Sequence, residues 1–361
     1  MHKRLKPCRV LIVDDSPFIR MMLKSILERD PEIEVVGTAR DGREGIKKLQ
    51  ALKPDVVTMD VEMPEMNGLQ ALDEIMRWQP TPVIVLSALT TAGAKLTLKA
   101  LELGAVEVVA KPSGQDGDNL NTLAEDLVLK VKSVAGIDPA RVFHKDCELQ
   151  PIKPKAAPLK PAQAVFPAAQ VEIVALGTST GGPTALQAVL TKLPRNFPVP
   201  LVIAQHMPPG FTASLAARLD NLCQIKVKEA EDGEALQAGT AYIGPSGKQF
   251  AVKRSPNGLV ASVWLESPPQ TLYKPSVDVL LCSLAGEVGA GVLAVIMTGM
   301  GHDGLEGAKK LKAQGAFLIA ESEKTSVVYG MPRSVVEAGL ADRIELLPDI
   351  PRVIIDCVSR R

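Results

Sequence analysis

The chain is poor in aromatic residues, with only 3% Phe, Trp and Tyr, so its core must be built from Val, Leu, Ile, Ala and Met. A 46% hydrophobic share supplies enough of these to exclude disorder along the whole length. Cysteine is sparse: Cys8, Cys147, Cys223, Cys282 and Cys357 are odd in number, far apart and never in a C-x-x-C pair. That pattern argues against a disulfide framework and against a zinc site. Net charge is absent as well, because 41 Lys and Arg balance 41 Asp and Glu. Nothing therefore pulls the whole molecule toward nucleic acid or an anionic membrane. No apolar run approaches the roughly 18 residues needed to cross a bilayer. The opening MHKRLKPCRVLIVDD meets carboxylates too early for the apolar core of a signal peptide. A cytoplasmic protein without membrane insertion is the expectation.

What is present starts with length: 361 residues, at about 150 per domain, argue for two or three domains. Residues 1–136 alternate short apolar runs (RVLIVDD, EVVGTA, DVVTMD, PVIVLSA, AVEVVAKP) with amphipathic stretches such as FIRMMLKSILERD and LQALDEIMRWQ. Continuous Val/Ile/Leu runs suit a parallel sheet covered on both faces, so a doubly wound α/β domain is expected here. Residues 137–170 hold six prolines and no apolar period, which predicts a semi-extended linker. From 171 to 361 the alternation resumes in VEIVALG, PVPLVIAQH, GVLAVIMTG and GAFLIAES. TAYIGP, QFAVKRS and LVASVWL, the last two separated by Pro256-Asn257-Gly258, predict an antiparallel hairpin inserted in a second, mostly parallel doubly wound α/β domain.

Open α/β sheets bind ligands beyond the carboxyl ends of their strands. In the first domain those ends carry Asp14 and Asp15, Asp60, Ser87 and Lys111. Clustered carboxylates repel one another, and a hard cation such as Mg2+ neutralises them, while a lysine beside them suits an incoming phosphoryl group. Helix capping by single Asp residues is the competing reading for each position. With DDSPFIR, MDVEMPEMNG and the AKP after the last strand, residues 8–136 resemble a response-regulator receiver domain, a flavodoxin-like fold. The resemblance implies Asp60 as phosphoryl acceptor and a histidine kinase as phosphodonor. It implies Mg2+ on Asp14, Asp15, Asp60 and the backbone carbonyl of Glu62, with Ser87 and Lys111 contacting the phosphoryl group. It also implies a cis Lys111–Pro112 bond, and it places Val108 where many receivers carry an aromatic switch residue.

In the second domain VEIVALG runs into Gly177-Thr178-Ser179-Thr180-Gly181-Gly182-Pro183 and then a helical pattern. A P-loop would need a lysine before its closing Ser/Thr, and a dinucleotide fingerprint needs other glycine spacing. A nucleophile elbow, G-x-S-x-G between strand and helix, fits and would expose Ser179; a plain glycine turn stays open. Of the four histidines, His2 lies in the N-terminal tail and His144 in the linker, leaving His206 after PVPLVIAQ and His302 after GVLAVIMTG. His206 is the stronger base candidate, and Asp303 could orient it. The order serine, histidine, aspartate disfavours an α/β-hydrolase, where the acid precedes the histidine.

With STGG, QHMPPG, KPSVDVL, TGMGHDG and GMPR, residues 171–347 resemble the catalytic domain of the chemotaxis protein-glutamate methylesterase family. The resemblance implies Ser179 as nucleophile, His206 as general base and then acid, and Asp303 as its orienting partner. Oxyanion donors would be the backbone N–H groups of Thr180 and Met300, with no cofactor for the ester chemistry. Methyl-accepting chemoreceptors would be the substrate, with glutamine deamidation as a second activity. Gln249 stands where the family usually has a histidine. A DNA-binding output domain and a hydrolase of some other small ester are the rival readings. The neutral charge of residues 171–361 disfavours the first.

Overall fold

The computed structural model describes residues 6–87, 90–111, 117–137, 169–265 and 271–359. Most of the expected linker and the expected cis Lys111–Pro112 bond lie outside these residues.

The first sheet is parallel, with strands β1 (Cys8–Val13), β2 (Ile33–Ala39), β3 (Val56–Asp60), β4 (Val83–Ser87) and β5 (Glu107–Ala110) in the order β2-β1-β3-β4-β5. Every residue of β3 and β4 is buried, which explains why those runs read as continuously apolar. The connecting helices are α1 (Pro17–Leu27), α2 (Gly42–Leu52), α3 (Gly68–Trp78), α4 (Thr91–Glu102) and α5 (Gly117–Val134). They start just past the strand ends because the sequence supplies caps there. Ser16 accepts from the Ile19 N–H ahead of Pro17, and Asn67 forms a capping box with Gln70. The chain reverses direction across the sheet between β1 and β3, so Asp14 and Asp60 share one crevice.

The second domain contributes β6 (Ile173–Thr178), β7 (Leu201–Gln205), β8 (Lys226–Glu229), β9 (Thr240–Ile243), the pair β10 (Gln249–Ser255) and β11 (Gly258–Trp264), then β12 (Val292–Ile296), β13 (Phe317–Glu321) and β14 (Arg343–Glu345). Seven of them form a parallel sheet in the order β14-β13-β12-β6-β7-β9-β8. Its helices are α6 (Gly182–Leu190), α7 (Phe211–Leu222), α8 (Val277–Glu287), α9 (Leu305–Ala313), α10 (Met331–Glu337) and α11 (Ile350–Ser359).

The expected hairpin forms from β10 and β11 as a separate antiparallel sheet, but TAYIGP is not part of it. That segment is β9, which pairs in parallel with β7 and β8 and is buried throughout. Burial on both faces suits an interior strand of the large sheet, where a hairpin strand would leave one face open. The edge strands β8 and β14 escape the sequence pattern because they are short and polar, KVKE and RIE. Among the described residues no helix is long and apolar enough to cross a membrane.

The two domains meet along the face of α4, β5 and α5. Helix α4 packs on α7, Glu102 pairs with Arg218, and Val327 joins the apolar cluster that holds Val106, Val109, Leu127 and Val131.

Candidate active site and phosphoacceptor site

In the second domain the chain turns back across the sheet at β6, which lies between β12 and β7. The carboxyl ends of these three strands therefore converge, bringing Ser179 after β6, His206 after β7 and the 297–303 loop after β12 to one edge. The His206 N–H donates to Thr178 O at 3.1 Å, fixing the ends of β6 and β7 side by side. Gln205 locks them further. It accepts from Thr178 Oγ1 at 2.6 Å and donates through Nε2 to Ser179 O and His206 O, at 3.0 and 2.8 Å. This buried amide was invisible in the sequence, where Gln205 reads as the polar end of a strand.

Glycine is required at two places. A Cβ on Gly182 would lie 1.9 Å from Thr178 Oγ1 and 2.0 Å from Gln205 Oε1; one on Gly299 would lie 2.8 Å from Ser179 Cβ. The strand-to-helix turn and the neighbouring loop approach each other too closely for any side chain.

His206 is buried and bonds through Nε2 to Asp303 Oδ2 at 2.8 Å. With Nε2–H donating to the carboxylate, Nδ1 carries the lone pair, and it is buried without a partner among the described residues. Tyr273 stacks on the imidazole, ring centroids 4.1 Å apart and planes 14° from parallel. Asp303 sits at the start of α8, accepting from Ser276 Oγ (2.9 Å), Val277 N (2.7 Å) and Asp278 N (3.0 Å). Burial opposes its charge, but the bonds to His206 and the α8 amides prevail and hold its carboxyl down at about 2. His302 is exposed beside it.

Around the serine, its own N–H is committed to Thr298 O at 3.0 Å. Thr298 Oγ1 donates to Thr180 O at 2.8 Å, so Thr298 ties both residues. The amides of Thr180 and Met300 donate to no acceptor among the described residues. Gln249 is buried. Its Nε2 donates to Thr271 Oγ1 at 2.5 Å and its Oε1 accepts from Ser276 N at 3.0 Å, bracing the segment that carries Tyr273.

The receiver edge reaches this site directly. Thr180 Oγ1 donates to Glu107 Oε2 of β5 at 2.5 Å. Lys130 of α5 lies 3.8 Å from Glu107, 3.0 Å from Asp126, and donates to Val108 O at 2.9 Å. Burial works against the Lys130 charge, but Glu107 and Asp126 outweigh it and raise its pKa. Val108 itself is buried in the strand.

In the first domain Asp14, Asp15 and Asp60 place carboxylate oxygens within 4.8 Å of one another. Lys111 Nζ lies 2.8 Å from Asp14 and 2.7 Å from Asp60. Burial, aided by the Asp14 charge, raises the pKa of Asp60 despite Lys111. For Lys111, burial is outweighed by the two carboxylates and its pKa rises. An all-oxygen donor set with one buried acid held above its ordinary pKa fits a small hard divalent cation. Ser87 ends β4, its hydroxyl 3.3 Å from Gly93 O. The Glu62 N–H reaches Asp60 Oδ1 at 3.3 Å. A cleft of about 380 Å³ lined by Asp15, Glu62 and Asn67 opens beside the cluster.

A parallel sheet with an acidic crevice, joined to a second sheet whose central strand ends gather serine, histidine and aspartate, defines a response regulator with a hydrolytic output domain. Residues 10–122 match the response regulator receiver domain and residues 174–354 the CheB methylesterase family model. A protein-glutamate methylesterase/protein-glutamine glutaminase of Desulfitobacterium hafniense (strain Y51) is 52% identical, with all of both chains covered. One of the same name from Geobacillus kaustophilus (strain HTA426) is 48% identical over 98% of this chain and 100% of that one. Among solved structures, the Thermotoga maritima CheB methylesterase catalytic domain superposes with a TM-score of 0.50 at 43% identity, covering 52% of this chain and 99% of that one. The chain belongs to the CheB methylesterase family.

Proposed function

We propose that Ser179, His206 and Asp303 hydrolyse γ-glutamyl methyl esters, and deamidate glutamines, on the cytoplasmic helices of methyl-accepting chemoreceptors. The enzyme is a receiver-regulated protein-glutamate methylesterase and glutaminase. The observation that carries the catalytic reading is the His206 ring, whose Nε2 is bonded to Asp303 while its buried Nδ1 is left as the lone-pair nitrogen. This orientation is the reverse of the serine-protease template, where Nε2 serves as base.

Nδ1 takes the Ser179 proton as Oγ attacks the ester carbonyl, and the Thr180 and Met300 amides receive the oxyanion. Ser179 N–H is already bonded to Thr298 O and does not compete for that role. Collapse breaks the ester C–O bond, and the proton on His206 passes to the leaving methoxide, giving methanol and an acyl-enzyme. Water, deprotonated by Nδ1, then releases the glutamate and restores Ser179. With a glutamine side chain the same steps release ammonia. A positioned base and acid contribute about 10²–10⁴-fold, which matters for a leaving group as poor as methoxide.

Residues 1–136 form the regulatory domain, 137–170 the linker and 171–361 the catalytic domain. Asp60 receives a phosphoryl group from a histidine kinase. Asp14, Asp15, Asp60 and the carbonyl of Glu62 hold Mg2+, which when bound offsets the charge gathered on acceptor and phosphoryl group. Ser87 and Lys111 contact the phosphoryl oxygens. Drawing Lys111 and Ser87 to the new charge repacks the end of β5, two and three residues beyond Val108 and Glu107, and so loosens the Glu107–Thr180 contact. The protein acts in the cytoplasm. Methanol release from methylated receptor membranes by wild type and Ser179→Ala tests the reading: loss in the variant is expected, and retained activity would refute it.

A further inference from the structure

Glu321 ends β13, next to β12, and its side chain is fully buried. Oε2 accepts from Thr298 N at 2.8 Å, while Oε1 is buried with no partner among the described residues. The Thr325 hydroxyl lies nearby, 3.4 Å from Ser322 O and accepting from Leu347 N. Thr298 is the junction of the site: its carbonyl holds Ser179 N, its hydroxyl donates to Thr180 O and accepts from Val328 N, and Met300 lies two residues on.

We propose that Glu321 is a positioning residue for the oxyanion-binding backbone, acting through Thr298 on the segment that carries Ser179 and Thr180. The inference rests on the reading of Thr180 and Met300 as oxyanion donors.

A buried carboxyl held by a single backbone donor and no cation is sensitive to its own charge. Burial pushes Glu321 up to about 7, with the Thr298 N–H and the Thr325 hydroxyl pulling the other way. Other ionisable groups around it are already engaged. β12 offers none; β14 offers Glu345, paired with Arg343; α10 offers Arg333, paired with Glu337; α9 offers Lys312, paired with Asp342. Glu323 and Lys324 in the following turn are exposed. None of them appears among the causes of the shift. When neutral, Glu321 still accepts from Thr298 N–H and adds no charge. When ionised, it puts a negative charge behind the strand ends where an oxyanion must form, and so opposes the transition state. Ester hydrolysis then carries a falling limb as pH rises through neutrality.

The test is the pH dependence of methanol release from methylated receptor membranes by the full chain. Wild type is compared with Glu321→Gln, which keeps the acceptor but cannot ionise, and with Glu321→Leu, which removes it. Glu321→Gln should match wild type within about twofold near pH 6 and exceed it about tenfold near pH 8.5. Glu321→Leu should lose about tenfold or more in kcat with KM little changed, because Thr298 N–H loses its partner. Coincident profiles for wild type and Glu321→Gln would overturn the proposal, even if Glu321→Leu fails to fold. Ser179→Ala, run in parallel, separates the two failures. Activity surviving in it sinks the catalytic reading, whereas its inactivity beside coincident profiles sinks the role of Glu321 alone.

Discussion

Asp303 is pulled two ways, by burial against its charge and by His206 and the first amides of α8 in its favour, and the outcome is a carboxyl at about 2. A carboxyl depressed on folding adds stability above its unfolded value near 3.8, and that contribution is lost as pH falls toward 2. Replacing it with Asn leaves a side chain whose NH2 faces the Nε2–H and favours the other tautomer. Asp303→Asn should therefore lower kcat by about 10³–10⁴-fold, as seen by methanol release at saturating substrate. Glu321 has the opposite sign. Its carboxyl is raised from 4.5 to about 7, so the ionised form burdens the fold increasingly as pH climbs between those values, and the burden persists above them. Glu321→Gln should gain resistance to urea relative to wild type at pH 8 and lose that advantage by about pH 4; an equal shift at both would contradict the burial account. Ser179, His206 and Asp303 stand out in the sequence by residue type and motif, and the structure brings them to one sheet edge. Gln205, Thr298, Tyr273 and Glu321 do not stand out, because each acts through a backbone group or ring face that adjacent strands supply.

Three strand ends and one helix start make the site: β6, β7 and β12 supply the serine, histidine and aspartate, and α8 supplies the amides that hold the aspartate. Ser276 both caps α8 and donates to Asp303, so Ser276→Ala should cost about 1 kcal/mol of stability and also lower kcat. A melting curve and a rate measurement on the same variant check both effects. The apolar runs announced the interior strands of both sheets, since burial on two faces leaves no polar alternation. β9 was misread as hairpin because four residues cannot declare their partner, and β14 passed unnoticed because RIE has almost no apolar content. On the receiver side, β5 brings Glu107 against Thr180. Glu107→Ala should raise hydrolysis by the unphosphorylated chain severalfold, measured without a phosphodonor; an unchanged basal rate would count against this contact as a restraint.

In the whole molecule the proposed regulation couples two neutral-looking halves through a charge that only one of them acquires. In the proposed switch, phosphorylation turns the single charge of the Asp60 carboxylate into about −2 on an acyl phosphate, and the restraint it would relieve lies at the far end of β5, on Thr180. The coupling requires the phosphoryl group to favour the released arrangement by its own contacts with Lys111 and Ser87. Removing divalent cations with a chelator should abolish activation by a small phosphodonor while leaving basal hydrolysis intact, because the proposed chemistry at Ser179 makes no use of the cluster where the Asp14, Asp15 and Asp60 carboxylates lie within 4.8 Å of one another. The most direct measurement is methanol release from methylated chemoreceptor membranes by wild type, Ser179→Ala and Asp60→Asn, each with and without a small phosphodonor. The expected result is stimulated release by wild type, unstimulated basal release by Asp60→Asn, and none by Ser179→Ala. Release by Ser179→Ala, or full stimulation of Asp60→Asn, would contradict a serine esterase governed by its receiver.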